Sequence, residues 1–184
     1  EIDKAVIWAE ECAKRLIALG SQTYSEWIDY IHSVGVSESN PVYDVKAKRV
    51  LSAIFYAKGD FEKAKALFLE ALGQAKKIGV NTEYSLILIH YLKFLFEIGE
   101  YSELQKISSK EAKTPTFMDM PSERFVVLEY LALSLKENSC FSEAEDVARE
   151  LLYLAQCSLS DKVTEGKTVL FSCLLGGMKM DDAS

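Results

Sequence analysis

Few residues of this chain are of types and spacings that do chemistry. Glu165-Gly166-Lys167-Thr168 contains the Gly-Lys-Thr of a phosphate-binding loop. Such a loop needs a second glycine five residues upstream, where this chain has Asp161, and a strand leading into it, where the pattern here is helical. The segment therefore reads as a helix interior with one small residue. His90 has Leu86 and Phe94 four residues to either side, so no carboxylate or nucleophile is placed to work with it. His32 falls at a predicted helix end, where an imidazole ordinarily bonds a free carbonyl. Glu10-Glu11 and Glu143, Glu145, Asp146 read as solvated faces or as first-turn charges favoured by the helix dipole, and Asp181-Asp182 as a polar tail. Cys12, Cys140, Cys157 and Cys173 show no Cys-x-x-Cys spacing, which argues against a zinc site or a disulfide scaffold. They read as buried fillers, because no basic neighbour suggests a thiolate. The expectation is a chain that is not an enzyme, with no catalytic residue, no metal and no cofactor.

The elements that carry these residues follow from composition and pattern. The chain has 184 residues, 49% hydrophobic and 27% charged, with 3 Pro, which suits one domain or one array of repeats. Phe 9, Tyr 9 and Trp 2 make it too aromatic for a disordered tail. Acidic residues outnumber basic ones 28 to 21, and a net charge of -7 opposes nucleic-acid phosphates, so no direct nucleic-acid partner is expected. The most apolar stretch, Leu86 to Phe96, is interrupted by His90 and Lys93 and is too short to span a bilayer. No signal peptide is visible at Glu1, and free thiols fit a reducing compartment, so a cytoplasmic protein with no membrane partner is expected.

The chain repeats itself. Gly59-Asp60-Phe61 is followed by Ala64, Gly99-Glu100-Tyr101 by Leu104, and Ser139-Cys140-Phe141 by Ala144, at intervals of 40 residues. Gly20, 39 residues before Gly59, continues the series. Helical apolar spacing fills the intervals, over Val45 to Lys58, Phe61 to Ile78, Asn81 or Thr82 to Ile98, Pro121 to Asn138 and Phe141 to Cys157. An N-terminal pair is predicted over Asp3 to Leu19 and Tyr24 to Ser33, and a last helix from Ser160-Asp161 to about Leu175, stopped by Gly176-Gly177. Val34 to Val42 and Lys110 to Met120 read as non-helical, with Phe117, Met118 and Met120 packing back. Gly59 is expected at positive φ, which would make Gly59→Val costly. The predicted fold is all-α, a right-handed solenoid of about four antiparallel helix pairs plus a terminal helix, one domain over 1-184. Its units are roughly 1-40, 41-80, 81-120 and 121-159, with the terminal helix at 160-177.

Leu51-Ser52, Phe55, Gly59-Asp60-Phe61, Ala64, Phe68 and Ala71-Leu72 resemble a tetratricopeptide-type repeat, as do Leu128, Leu131-Ala132, Leu135, Phe141, Ala144, Ala148 and Leu151. The usual unit is about 34 residues. Long units like those here are similar to those of bacterial regulators of the maltose-activator type. The resemblance implies an α-solenoid that binds a protein or peptide on a concave face lined by the first helix of each pair. An alternative it also implies is an effector-sensing domain of a larger regulator.

On that reading, the first-helix residues facing away from the packing stripe include Lys14, Lys46, Arg49, Tyr56, Leu86, Ile89, Lys93, Phe96, Glu129 and Lys136. Leu86, Ile89 and Phe96 form an apolar floor, and the lysines and Arg49 form basic walls. That combination suits a peptide carrying acidic groups. The terminal helix has no second-helix partner within these 184 residues, so its apolar residues, Phe171 and Leu174 among them, are expected at a cap, at a homodimer contact or at the start of a further repeat.

Overall fold

The computed structural model describes residues 41–181. Among them are eight α-helices and no strand. In chain order these are α1 (Pro41–Ala57), α2 (Phe61–Ile78), α3 (Asn81–Glu97), α4 (Tyr101–Glu111), α5 (Pro115–Met118), α6 (Pro121–Glu137), α7 (Phe141–Ser158) and, after a 3-10 turn at Ser160–Lys162, α8 (Val163–Asp181). Helices adjacent in sequence pack against each other, α1 on α2, α6 on α7 and α7 on α8, in an all-α, solenoid-like fold. The chain divides into two compact units, Glu1–Tyr91 and Leu92–Ser184, with the division inside α3. The predicted N-terminal helix pair, Lys14, His32 and Cys12 lie outside the described residues.

The second helices show why the pairs form. α2 buries Ala64, Phe68, Ala71 and Ala75, and α7 buries Ala144, Ala148, Leu151 and Ala155 at the same spacing. Alanine at three of those four places lets a partner helix approach closely, while the opposite faces carry the charges. The Asp60 carboxylate caps α2 by accepting from the Lys63 backbone N–H at 3.3 Å. The nearby Lys63 ammonium is the main reason the Asp60 carboxyl is held below its usual range. Lys76 and Lys77 sit in the last turn of α2, where the dipole favours them.

Four of the turns close in one way. The Asp60, Val80, Glu100 and Cys140 N–H groups donate to Phe55, Ala75, Leu95 and Leu135 carbonyls at 2.9, 3.1, 2.9 and 2.8 Å. The preceding residues Gly59, Gly79, Gly99 and Ser139 adopt φ of 79, 75, 80 and 63°. This is the paired hydrogen bonding that ends a helix with a left-handed residue. Gly59 is at positive φ as the repeat predicts. Ser139 holds the same conformation with a Cβ, which disfavours it. Ser139→Gly should raise stability by roughly 0.5–1 kcal/mol, the relief of left-handed strain outweighing the added freedom of the unfolded chain. Equilibrium urea unfolding checks this, and a lowered midpoint would mean the serine is not strained.

The 40-residue interval is met in two ways. α1–α2 and α6–α7 use helices of 17 and 18 residues. α4 has only 11 residues, and the short α5 occupies the remainder. Within Lys110 to Met120, expected to be non-helical, Lys110, Glu111 and Pro115–Met118 are thus helical, and the remainder is turn or irregular as expected. Phe117 is fully buried as expected, while Met118 is 52% exposed.

The second difference is α8. It does not stop at Gly176-Gly177 but runs through both to Asp181. A Cβ on Gly176 would lie 2.7 Å from the Phe141 ring, so the glycine there serves a close approach of helices rather than a helix end. Gly166 does the same against α7, where a Cβ would meet Leu151 Cδ2 and Leu152 Cα at 3.3 Å. This is the physical role of the glycine in Gly166-Lys167-Thr168, with Lys167 and Thr168 exposed beside it.

Candidate functional site

In the N-terminal unit the expected basic wall is largely neutralised from within. Arg49 is buried, 7% exposed, and its Nε lies 3.6 Å from Glu83 Oε2. Lys46 is half-buried with Nζ 3.7 Å from Glu83 Oε1. Glu83 stands in the first turn of α3, where the helix dipole favours it, and draws both cations inward. Arg49 is therefore corrected from an exposed groove wall to a packed residue. Tyr56 is half-buried, its ring 6.0 Å from that of Phe61. Leu86 is 37% exposed and Ile89 half-buried. The exposed row of α3 is Leu86, His90, Lys93 and Glu97, one position round from the expected Ile89 and Phe96.

In the C-terminal unit a cluster does form. The half-buried Phe96 ring lies 5.5 Å from Tyr101 and 5.9 Å from Tyr130. Lys93 is exposed, with Nζ 3.8 Å from Glu97. Half-buried Val126, Glu129, Tyr130 and Leu133 continue the face along α6. Lys136 Nζ donates to Ser172 Oγ on α8 at 3.0 Å and lies 3.5 Å from Glu137. Lys162 Nζ donates to Glu165 Oε2 at 2.6 Å and stands 5.7 Å from the Phe125 ring centre. The face is thus of mixed sign, not basic. Tyr130, Lys162 and Glu83 do not stand out in the sequence, and Glu165 does so only beside the Gly166-Lys167-Thr168 motif. The Lys162–Glu165 spacing of three residues was the available signal, whereas nothing in the sequence links Glu83 to Arg49.

Burial raises the Glu129 carboxyl above its ordinary range, and Glu165 adds to the shift while Lys162 opposes it. Burial, then the Glu129 and Glu97 charges, push the Tyr130 hydroxyl up to about 12. A carboxyl that holds its proton more tightly when folded stabilises most below its unfolded value, near 4.5, and loses that contribution as pH rises through the raised folded value. Glu129→Gln should therefore raise the melting temperature at neutral pH, with the gain shrinking as pH falls through the raised folded value and absent below about 4.5. A pH series of thermal melts reads this, and a gain independent of pH would refute the shift.

Phe171 is 62% exposed, and Leu174 is half-buried. Cys173 is buried, which raises its thiol, but Cys157 is exposed and Cys140 only half-buried, so the cysteines are not uniformly core fillers. Among the described residues no group of three or more His, Cys, Asp or Glu is placed to hold a metal ion. No helix among them is long and apolar enough to cross a membrane. Compared with known proteins, the chain matches no family model and no curated sequence.

Proposed function

We propose that this chain is a non-catalytic binding module that recognises a protein or peptide segment on the face formed by first helices. The observation that carries the reading is the row Phe96, Val126, Tyr130 and Leu133 in the C-terminal unit, apolar or aromatic side chains left half-exposed beside a densely packed core. Lys93, Glu97, Lys136 and Glu137 border it. An apolar row with charges of both signs at its edges suits an extended or helical segment that is itself of mixed charge. The tetratricopeptide-like repeat supports this reading, since stacked helix pairs present such faces. A cytoplasmic setting accords with the free thiols of Cys140, Cys157 and Cys173.

The test is selection from a displayed peptide library on the 184-residue chain. Selected peptides are then measured against Lys93→Glu, Leu133→Asp and, as a control on the outer face of α7, Tyr153→Ala. Loss of binding in the first two with retention in the third, at unchanged helicity, supports the reading. Peptides that bind all three equally, or no selectable peptide, overturn it. A thermal shift with a small metabolite in that case would favour an effector-sensing domain.

A further inference from the structure

The Phe96 ring centre lies 5.5 Å from that of Tyr101 and 5.9 Å from that of Tyr130, with planes inclined at 61 and 57°. Rings so inclined do not cover each other's faces, and each of the three side chains is only half-buried. The face of such a ring carries negative potential and attracts a cation.

Carboxylates flank the rings. Glu97 and Glu129 lie close enough to Tyr130 for their charges to act on its hydroxyl. The two are unequally matched. Glu97 has Lys93 Nζ at 3.8 Å. Glu129 is half-buried, yet among the described residues it accepts no hydrogen bond and forms no ion pair. Lys162, whose charge reaches Glu129, donates to Glu165 at 2.6 Å and is drawn on by Asp161 as well. One ammonium therefore stands among three carboxylates, and the corner keeps an excess of negative charge. A half-buried carboxylate without a partner disfavours the folded chain, so glutamine at 129 should be the more stable choice. What the charge opposes in folding it can return when a cation enters.

We infer that Phe96, Tyr101, Tyr130 and Glu129 form a subsite for an arginine side chain of the bound segment, an assignment that rests on the binding role proposed above. The guanidinium plane suits an aromatic face, and its N–H fork donates to the Glu129 carboxylate. The Tyr130 hydroxyl, which makes no hydrogen bond among the described residues, is a further acceptor beside it. A lysine ammonium is more strongly hydrated and lacks the flat fork, so it gains less here.

The probe is arginine capped at both ends, as its Nα-acetyl amide, so that only the side chain is charged. In nuclear magnetic resonance of the 184-residue chain it should shift the amide signals of Phe96, Glu129 and Tyr130 saturably, in the millimolar range that suits one side chain. Capped citrulline, of the same shape with a neutral urea in place of the guanidinium, should leave those signals where they are. Capped lysine should bind at least about threefold more weakly than arginine. Glu129→Gln should weaken capped arginine at least about tenfold while raising the melting temperature, a combination that damage to the fold does not produce. Tyr130→Leu, which keeps apolar bulk and removes the ring, should weaken it too, with circular dichroism checking that helicity is kept. No saturable shift, equal shifts with citrulline, or an unchanged response in Glu129→Gln overturns the inference. Library-selected peptides that need Leu133 but neither an arginine nor Glu129 would also overturn it, and would leave the functional proposal standing. Capped arginine seated on the subsite with no selectable peptide would keep the subsite and overturn the functional proposal.

Discussion

Arg49→Glu should unfold the N-terminal unit rather than merely alter a surface. The native guanidinium is buried with its Nε 3.6 Å from Glu83, and the Glu83 side chain is only 12% exposed. Reversing the charge removes a cation from that carboxylate and places a second carboxylate beside it, in a setting with little water. Breaking a buried ion pair in this way costs about 3–5 kcal/mol, because the remaining charge is left uncompensated. Lys46, 3.7 Å from Glu83 Oε1, offsets part of this. Urea unfolding of Arg49→Glu should show a midpoint far below that of Lys93→Glu. Lys93 is 60% exposed in its pairing with Glu97, and its reversal should change stability by no more than about 0.5 kcal/mol. The paired substitution Arg49→Met with Glu83→Leu should recover most of the loss, since apolar groups of similar volume often replace a buried pair at little cost. A single Arg49→Glu chain that unfolds at the native midpoint would mean the pair is solvated. The consequence for function is direct. Loss of a ligand on Arg49→Glu reports unfolding, whereas loss on Lys93→Glu reports binding.

The sequence revealed the helices because their apolar spacing and their stops coincide. Gly59, Gly79 and Gly99 mark turns that need a left-handed residue, and the 40-residue interval extended that reading to Ser139, which no propensity would have chosen. Gly176-Gly177 looked alike in sequence but does different work. A glycine that ends a helix and one that admits a neighbouring ring have the same letter, and only the closeness of Phe141 separates them. The candidate site was harder to read for the same kind of reason. That Lys93 faces solvent follows from its own helix, but the burial of Arg49 depends on Glu83 from another helix. The phase of α3 was missed by one residue because that helix is apolar nearly all round, so its pattern scarcely favours one face over the next.

Phe117→Ala should be among the most damaging substitutions in the C-terminal unit, although it lies in the connection between α4 and α6. The four-residue α5 cannot be stable as a helix by itself, since a single turn fixes several dihedrals for very few hydrogen bonds. What holds the segment is the Phe117 ring, fully buried, with α5 packed on α6. The Thr114 hydroxyl donates to the Glu111 carbonyl at 2.8 Å and Pro115 presets the first turn, so the backbone is guided into place. Removing the ring empties the site and costs about 3–5 kcal/mol, the range for a buried phenylalanine. Met118, next along the chain and 52% exposed, should tolerate alanine within about 0.5 kcal/mol. The pair of variants separates anchoring from mere presence in a loop. Hydrogen exchange should show the loss of Phe117 first at the amides of Phe117, Met118 and Met120, whose carbonyl partners are Thr114 and Phe117. If Phe117→Ala and Met118→Ala lower the unfolding midpoint equally, α5 is not an anchored element and the 40-residue interval in this unit is filled by slack chain. If only Phe117→Ala does, the unit compensates for its short second helix by burying one ring, and the interval is kept by packing rather than by helix length.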